Sequence, residues 1–410
     1  MKKILSLLLA GAMTVSLTAA CASEQTGGEA EKMTLKVWGP SEDQDPATGK
    51  WLQTTCEKFN QLNPQWDITF EYGVCGENDA GKKVTADVTA AADVYMYASD
   101  QLGMLMDAQA LSQLGGQNLQ AVKDNNSEAM INAVTYTDGG VYGVPFSPNT
   151  WFLYYNKNTY TEEDVKSLET MLQKGKVAMN VTDGWYLASF YVAGGGTLFG
   201  NKGTDSGAGI QFGGDAGTAV TDYLVDLMAH PNFINDKDNN VGLGLMTTGG
   251  CDAFFSGTWK AADVKAALGE NYAAAALPAI TINGEQKQLR SFAGAKAIGV
   301  NPNCKNQKAA TALAVFLGSQ EAQLAHYELR GVAPCHPNLV ANEKIAADIA
   351  VAAQAATVAT TAVAQPSLPA MNDFWAPAVN FGNELVNGTV THANAREKTE
   401  AFVKAINGGQ

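Results

Sequence analysis

The sequence predicts an α/β protein built from two lobes, and two observations lead to this prediction. Segments with the apolar pattern of strands alternate with segments of helical periodicity along the first half of the chain, an order typical of parallel α/β layers. In addition, the chain has 410 residues, more than a single hydrophobic core usually supports. From Asn306 onward, helical patterns dominate.

The chain begins with the pattern of a secretory signal peptide over residues 1–20. Two lysines precede an apolar stretch from Ile4 to Ala12, which is too short and wrongly flanked for a permanent membrane span. Thr18-Ala19-Ala20-Cys21 resembles a lipobox, although a threonine stands where leucine is preferred. We therefore expect cleavage before Cys21 and a lipid on that cysteine. Ordinary cleavage near the same alanines is the alternative.

The acidic charge balance argues against a nucleic acid partner. The formal charge is −14, and it becomes −16 when the leader takes Lys2 and Lys3 with it. Such a chain has no basic stripe with which to neutralise phosphates. Past the leader, no run of about 18 uninterrupted apolar residues occurs. We expect membrane contact only through the lipid.

The elements follow one another after a polar tether over residues 21–33. Leu35 to Trp38 predicts the first strand, and residues 52–62 predict a helix that Asn63-Pro64 ends. Asp100 is a candidate cap for the helix beginning at Leu102, and Asn283-Gly284 indicates a hairpin turn. Other predicted strands cover 68–72, 94–97 and 176–180, and other predicted helices cover 184–193, 215–229, 308–330, 341–363, 373–387 and 393–406.

Cysteine and histidine spacing gives no sign of a metal site, and we expect neither a metal nor a cofactor. Six cysteines become five once Cys21 carries a lipid, with no CxxC and no matching histidines. Residues 236–240 begin like a calcium loop, but Val241 replaces the required glycine. Cys56 and Cys75 could form a disulfide in an oxidising compartment. Alternatively, all five are small buried hydrophobes.

The local motifs of common enzymes are missing from the sequence. It contains no Gly-x-x-x-x-Gly-Lys-Ser/Thr loop, no His-Glu-x-x-His and no Gly-x-Ser-x-Gly. We therefore expect a protein that is not an enzyme. An envelope-anchored carbohydrate-active enzyme stays open as the less favoured alternative, because two carboxylates suffice for a glycosidase. The candidates for such a pair are Glu42, Asp43, Asp45 and Asp100.

Aromatic residues stand at the ends of predicted strands and the starts of predicted helices, the edges where open α/β sheets bind ligands. A sugar site needs flat aromatic surface together with planar hydrogen-bonding groups, and the sequence supplies both. For any single tryptophan, a place in the core is an equal alternative. The aromatic residues concerned are Trp38, Tyr97, Trp151, Trp185, Tyr186, Trp259 and Trp375.

Five short segments, in this order and spacing, carry a resemblance that covers about residues 34–410. They are Leu35–Trp38, Ala92–Asp100, Gly143–Pro145 followed by Leu153–Lys157, Phe255–Trp259 and Asp373–Trp375. The chain resembles the extracellular solute-binding proteins of carbohydrate ABC importers, most closely the maltose and maltodextrin binders.

The resemblance implies a two-lobe, type II periplasmic-binding-protein-like fold with an interlobe ligand cleft and hinge crossovers. Residues 34–147 plus 296–338 would form the N-terminal lobe, and residues 148–295 plus 339–410 the C-terminal lobe. It further implies a monomer, lipid-anchored on the extracellular face of the cell membrane. This monomer would capture an oligosaccharide, an α-1,4-glucan, and deliver it to an ABC transporter permease. A different glycan or a polyol is the alternative ligand.

The resemblance also implies the ligand-binding residues, which are Glu42, Asp43, Tyr97, Asp100, Asn149, Trp185, Tyr186, Trp259 and Trp375. Three positions depart from the maltose binders: Asp43 stands in place of a lysine, Asn149 in place of a glutamate and Gln101 in place of an arginine. The last two are expected to affect which sugar is bound. A sugar phosphate is disfavoured because these residues include no cluster of arginine or lysine.

Overall fold

The computed structural model describes residues 29–201, 203–237 and 240–408, within which the strands form two large sheets and two hairpins. The described strands are β1 (Glu31–Gly39), β2 (Trp66–Val74), β3 (Val94–Ala98), β4 (Val144–Asn149), β5 (Phe152–Asn156), β6 (Val177–Met179), β7 (Thr197–Leu198), β8 (Ile210–Gln211), β9 (Phe233–Asn235), β10 (Ala253–Ser256), β11 (Tyr272–Ala275), β12 (Ala279–Ile282), β13 (Glu285–Gln288), β14 (Ser291–Val300) and β15 (Ala362–Ala364).

The described α-helices surround these sheets. In chain order they are α1 (Trp51–Leu62), α2 (Ala80–Thr85), α3 (Leu102–Asp107), α4 (Gly116–Asp124), α5 (Glu128–Ala133), α6 (Leu168–Lys174), α7 (Gly184–Ala193), α8 (Gly214–Ala229), α9 (Val241–Thr247), α10 (Ala261–Leu268), α11 (Gln307–Leu317), α12 (Gln320–Arg330), α13 (Pro337–Val340), α14 (Glu343–Ala346), α15 (Ile349–Thr360), α16 (Asn372–Val386) and α17 (Ala395–Ile406).

The first sheet has the order β15-β14-β3-β1-β2, with β4 pairing to β14. Strands β1, β2 and β3 are parallel, whereas β14 runs antiparallel to β3 and β4. Because parallel strands end at the same edge, the turn after β1 and the turn after β3 lie together there. These two turns carry Glu42 and Asp100.

The second sheet has the order β11-β5-β10-β6-β9. Its strands β10, β6 and β9 are parallel. Their carboxyl ends therefore meet at one edge, which is where the chain turns into the segments that carry Trp185 and Trp259. The sequence of alternating strands and helices thus brings to one sheet edge two aromatic residues that are far apart in the chain.

Each large sheet packs in its own hydrophobic core, and β14 takes part in both. Its Ile298 belongs to the core of the first sheet, and its Phe292 belongs to the core of the second. Its partner β15 pairs parallel to the first half of β14. Residues 362–364 pair with residues 291–293, and since both stretches belong to the predicted C-terminal lobe, this strand pair joins that lobe to the first sheet.

Two predicted long helices are each interrupted. The one predicted over 308–330 divides into α11 and α12 at Gly318 and Ser319, and the Ser319 Oγ caps α12 by accepting the Ala322 N–H at 3.3 Å. The one predicted over 341–363 divides into α14 and α15 and then becomes β15. The Asp348 carboxylate caps α15. Apolar periodicity continues through both breaks and therefore predicted a single helix in each case. The capping side chains of Ser319 and Asp348 mark where the second helix begins.

Three smaller expectations have different outcomes. The hairpin turn is confirmed, with Asn283 and Gly284 both at positive φ between β12 and β13. The tether is shorter than predicted, because β1 begins at Glu31, whose N–H donates to the Gln65 carbonyl. Asp100 does not cap α3, since its carboxylate instead accepts the Gln101 side-chain N–H at 2.7 Å.

The cysteines of the described part are all buried and free, so the disulfide considered between Cys56 and Cys75 is not formed in this structure. No described helix combines the length and apolarity needed to cross a bilayer. The predicted signal peptide and the lipidation site at Cys21 lie outside the described residues.

Candidate functional site

Three tryptophans, Trp185, Trp259 and Trp375, form an aromatic surface at the edge of the second sheet, here called the platform. Trp185 is fixed at the start of α7, where the Asp183 carboxylate accepts its backbone N–H at 2.9 Å. Its ring centre lies 6.1 Å from that of Trp259, and the two rings are inclined by 31°. Trp259 follows β10 directly and is partly exposed.

Trp375 joins the platform from the first turn of α16. A Cβ on Gly184 would lie 3.5 Å from Trp375 Cε3, so the starts of α16 and α7 approach each other closely. The Trp375 indole Nε1 is buried and has no hydrogen-bond partner among the described residues. An indole N–H can only donate, so this atom is available to an acceptor on a ligand.

Tyr186 supports the platform from below. The side chain is only 2% exposed, and its ring centre lies 4.8 Å from that of Trp151 in the second core. Burial holds the pKa of its hydroxyl well above the ordinary value. Tyr186 was expected among the ligand-binding residues together with Trp185; in the structure the ring centre of Trp185 lies 5.6 Å from that of Tyr186 and 6.1 Å from that of Trp259.

Glu42 faces Trp259 of the platform from the side of the first sheet. It lies in the turn after β1 and lines an open cavity of about 240 Å³ together with Trp259, Lys260, Asp263 and Arg330. An acid on one side of this cavity and an indole on the other are the two kinds of group that a sugar ring requires. The cavity therefore joins residues of both predicted lobes.

Asp43 points away from Glu42 and into the first lobe. It is 2% exposed, and its Oδ1 accepts hydrogen bonds from His326 Nε2 at 2.8 Å and Arg330 Nε at 3.3 Å. Burial alone would raise the pKa of the Asp43 carboxyl, but His326 and Arg330 hold it below its ordinary value. His326 in turn stacks on Trp51, with ring centres 4.0 Å apart. Asp43 thus fastens the turn that carries Glu42 to α12.

Asp100 lies at the carboxyl end of β3. One carboxylate oxygen accepts from Gln101, whereas Oδ1 is buried without a partner among the described residues. Burial raises the pKa of this carboxyl to about 6, and the negative charge of Asp183, at the start of α7, adds to the effect.

Tyr97 and Asn149 do not line the cavity that contains Glu42 and Trp259. Tyr97 is fully buried in the first core, where its hydroxyl donates to the Tyr142 carbonyl at 3.3 Å. Asn149 is 3% exposed at the end of β4, opposite Gly294 of β14. The structure thus brings Glu42 and Trp259 to one cavity, with Trp185 beside Trp259, Tyr186 packed against Trp185, and Asp43 holding the turn of Glu42.

The sequence profile of bacterial extracellular solute-binding proteins matches residues 54–353, about three quarters of the chain. This chain belongs to that family. A galactooligosaccharide-binding protein of Bacillus subtilis (strain 168) is similar to this solute-binding protein. The two are 26% identical over 333 residues, which cover 76% of each chain.

Two solved structures are similar to this solute-binding protein over 92% of its length and 99% of theirs. One, determined with acarbose, is 50% identical and has a TM-score of 0.89. The other is a maltodextrin-binding protein from L. casei BL23 without ligand, which is 26% identical and has a TM-score of 0.79. Together with the two sheets and their cores, these neighbours confirm the predicted two-lobe periplasmic-binding-protein fold.

The cleft of this solute-binding protein also contains cations that the sequence reasoning missed. Lys296 Nζ donates to Glu77 at 3.0 Å, Arg330 pairs with Asp43, and Lys260 lies 4.0 Å from Asp263. Each cation has an acidic partner, so they supply no excess positive charge for a phosphate. One signal was present: Lys296 is a lone charge in the otherwise apolar run 291–300, and buried charges need partners.

Proposed function

We propose that this protein captures oligosaccharides in its interlobe cleft, with α-glucans of the maltodextrin type as the ligand class, and delivers them to an ABC transporter permease. One observation carries the proposal: the partly exposed Trp259, which follows β10 of the second sheet, and Glu42, in the turn after β1 of the first, line the same open cavity. Sugar rings offer apolar C–H faces to indoles and hydroxyls to carboxylates.

Capture proceeds by stacking followed by closure. A glucan unit stacks on the platform, and Glu42 and the free oxygen of Asp100 then accept its hydroxyls from the other lobe. The ligand shifts the equilibrium between open and closed lobes only by its difference in affinity for the two states. Contacts from both lobes at once supply that difference.

Relatives support the choice of ligand class. The neighbour that shares half of its residues with this chain was solved with acarbose, and another neighbour is a maltodextrin-binding protein. The relative named for galactooligosaccharides makes a different glycan the second candidate. Asn149 and Gln101, which depart from the maltose binders, are the first positions to examine if the ligand is such a glycan.

The location follows from the N-terminal pattern together with the family. The extracellular solute-binding family supports a place on the outer face of the cell membrane. A lipid on Cys21, which lies outside the described residues, would hold the monomer there and keep it close to its permease. The first strand of the described part begins at Glu31, so the tether after Cys21 would be short.

A sugar panel tests the proposal. The protein expressed without residues 1–20 is heated with maltose, maltotriose, longer maltodextrins, galactooligosaccharides and monosaccharides. A ligand that binds only the folded state raises the melting temperature by mass action. We expect the largest rise with α-glucans. A rise only with other glycans would change the ligand class, and no rise with any sugar would overturn the transport function. New reducing ends during incubation would instead indicate an enzyme.

A further inference from the structure

Gln365 connects the first sheet to the platform. It follows β15 directly, and its backbone N–H donates to the Ala293 carbonyl of β14 at 3.0 Å. Its side-chain Oε1 accepts the indole N–H of Trp185 at 3.1 Å. A residue held by the backbone of the first sheet therefore fixes the orientation of an indole that belongs to the second core.

The chemistry of the indole determines which way the Gln365 amide points. An indole nitrogen can only donate a hydrogen bond, so the amide oxygen must face Trp185 and the amide nitrogen must point elsewhere. Nε2 is buried and has no partner among the described residues. A buried donor left without an acceptor is unfavourable, so an incoming acceptor at this position is favoured.

A second unmatched atom lies at the same corner of the cleft. A Cβ on Gly294 would lie 2.4 Å from Ser99 Oγ and 3.7 Å from Gln365 Oε1, so the turn after β3 and Gln365 border the same glycine. The residue after Ser99 is Asp100, whose buried Oδ1 lacks a donor. One unmatched donor, on the residue that bonds to Trp185, and one unmatched acceptor, on the residue after Ser99, thus belong to neighbouring segments of the cleft. A hydroxyl group, which donates and accepts, matches both.

We propose that Gln365 is a specificity-determining residue of the cleft, whose Nε2 donates to a hydroxyl oxygen of the sugar unit bound beside Trp185. This inference rests on the proposed function and deepens it. The same amide does two things: its oxygen holds the buried Trp185 indole in place, and its nitrogen recognises the neighbouring sugar unit. To be bound, a sugar must present a hydroxyl oxygen to Gln365 Nε2 at this position.

Two variants separate these roles. Q365E keeps an oxygen for the Trp185 N–H but loses the donor, whereas Q365M has a similar length and loses both. We expect each to weaken the binding of maltotriose about tenfold or more, measured by calorimetry. Gln354 of α15 gives a matched control, because it is also a buried glutamine with an unpartnered side-chain atom. Its Nε2 donates to the Pro148 carbonyl of β4 at 2.9 Å. Q354M should bind within about twofold of wild type.

Monodeoxy analogues of maltotriose distinguish recognition from structural support. In the wild type, one analogue should bind about tenfold more weakly, and the same analogue should show no further loss in Q365M. Equal losses for every analogue in both proteins would overturn the assignment, as would Q365E and Q365M binding maltotriose like wild type. The wild-type measurement separates the two proposals: if wild type binds no sugar, both fail, and if it binds while the variants are unaffected, only the role of Gln365 fails.

Discussion

Lys296 and Trp259 meet across the cleft, with the Lys296 Nζ 4.8 Å from the centre of the indole ring. The same nitrogen donates to Glu77 at 3.0 Å, and both charged side chains are nearly buried. A cation over an indole is worth about 2 kcal/mol when it is desolvated. Lys296 of the first sheet therefore contacts Trp259 of the platform.

The Glu77–Lys296 pair should be strongly coupled in stability. E77Q leaves a buried ammonium without its anion, which typically destabilises by about 3–5 kcal/mol. The double variant E77Q/K296M removes both charges and should recover most of that loss. Urea unfolding of the four proteins in this cycle measures the coupling. Equal destabilisation by E77Q and by the double variant would contradict the prediction.

Trp259 and Trp375 should both contribute to ligand binding. W259A and W375A each remove a stacking surface, and we expect each to weaken binding of the best sugar at least tenfold, about 1.4 kcal/mol. Calorimetry gives the affinity. F70A is the control, because Phe70 is a partly buried aromatic on β2 that packs on the first core beside Tyr72. Wild-type affinity in both tryptophan variants would reject this site.

Gly257 should be required for the position of the platform. A Cβ at this residue would lie 2.0 Å from Trp259 Cζ3, so G257A must displace the indole. The backbone of Gly257 suits alanine, with φ −108° and ψ −173°, so the effect is steric and falls on the ring. We expect at least a tenfold loss of sugar affinity.

A second glycine serves as the comparison for G257A. Gly244 lies in α9, and a Cβ there would meet nothing within 4 Å. G244A should bind like wild type and be more stable by about 0.5–1 kcal/mol, because alanine favours a helix over glycine. If G257A binds sugar as tightly as G244A does, sugar binding by Trp259 does not require the absence of a side chain at residue 257.

Asp100 should make stability depend on pH. Its pKa is raised from 3.8 to about 6 on folding, so its contribution to stability is fully present below pH 3.8 and is lost as the pH rises through about 6. D100N stays neutral and should be about 3 kcal/mol more stable than wild type at pH 7.5 but equally stable near pH 3.5. Unfolding at both pH values measures this, with exposed Asp67→Asn as control. A constant difference would contradict it.

The same substitution should affect binding in the opposite direction. At position 100, an amide oxygen accepts sugar hydroxyls less well than a carboxylate oxygen does, and an amide nitrogen does not accept them at all. D100N is therefore expected to bind sugar more weakly while being the more stable protein at pH 7.5. Higher stability together with wild-type affinity would show that the Oδ1 atom takes no part in recognition.

Much of the fold could be predicted from the sequence because its signals are local. The helix predicted over 184–193 coincides with α7, and the turn at Asn283 and Gly284 forms as expected. The long helices were predicted without their breaks, because apolar residues kept their spacing through Gly318 and Ser319. Capping is a single-residue signal, and it is weaker than a periodic one.

The tryptophans of the candidate site were named by the family resemblance, because a place where a strand ends or a helix begins does not distinguish them from Trp151, which is fully buried in the second core. The supporting contacts of the site could not be predicted, because they join residues that are far apart in the chain. Asp43 and His326 are 283 positions apart, Glu77 and Lys296 are 219 apart, and Trp185 and Gln365 are 180 apart. Pattern reasoning assigns a residue to an element but does not pair it with a distant partner.

The buried cysteines have a practical consequence for labelling. Every cysteine of the described part is at most 6% exposed, and burial raises the pKa of each thiol, to about 12 in four of the five cases. Reagents such as maleimides attack the thiolate, so these side chains are slow to react. In a protein expressed without its first 21 residues, a single cysteine introduced at the cleft rim, for example at Asp45, would take a fluorophore selectively. Closure of the lobes would then change the emission, giving an optical sensor for the sugar.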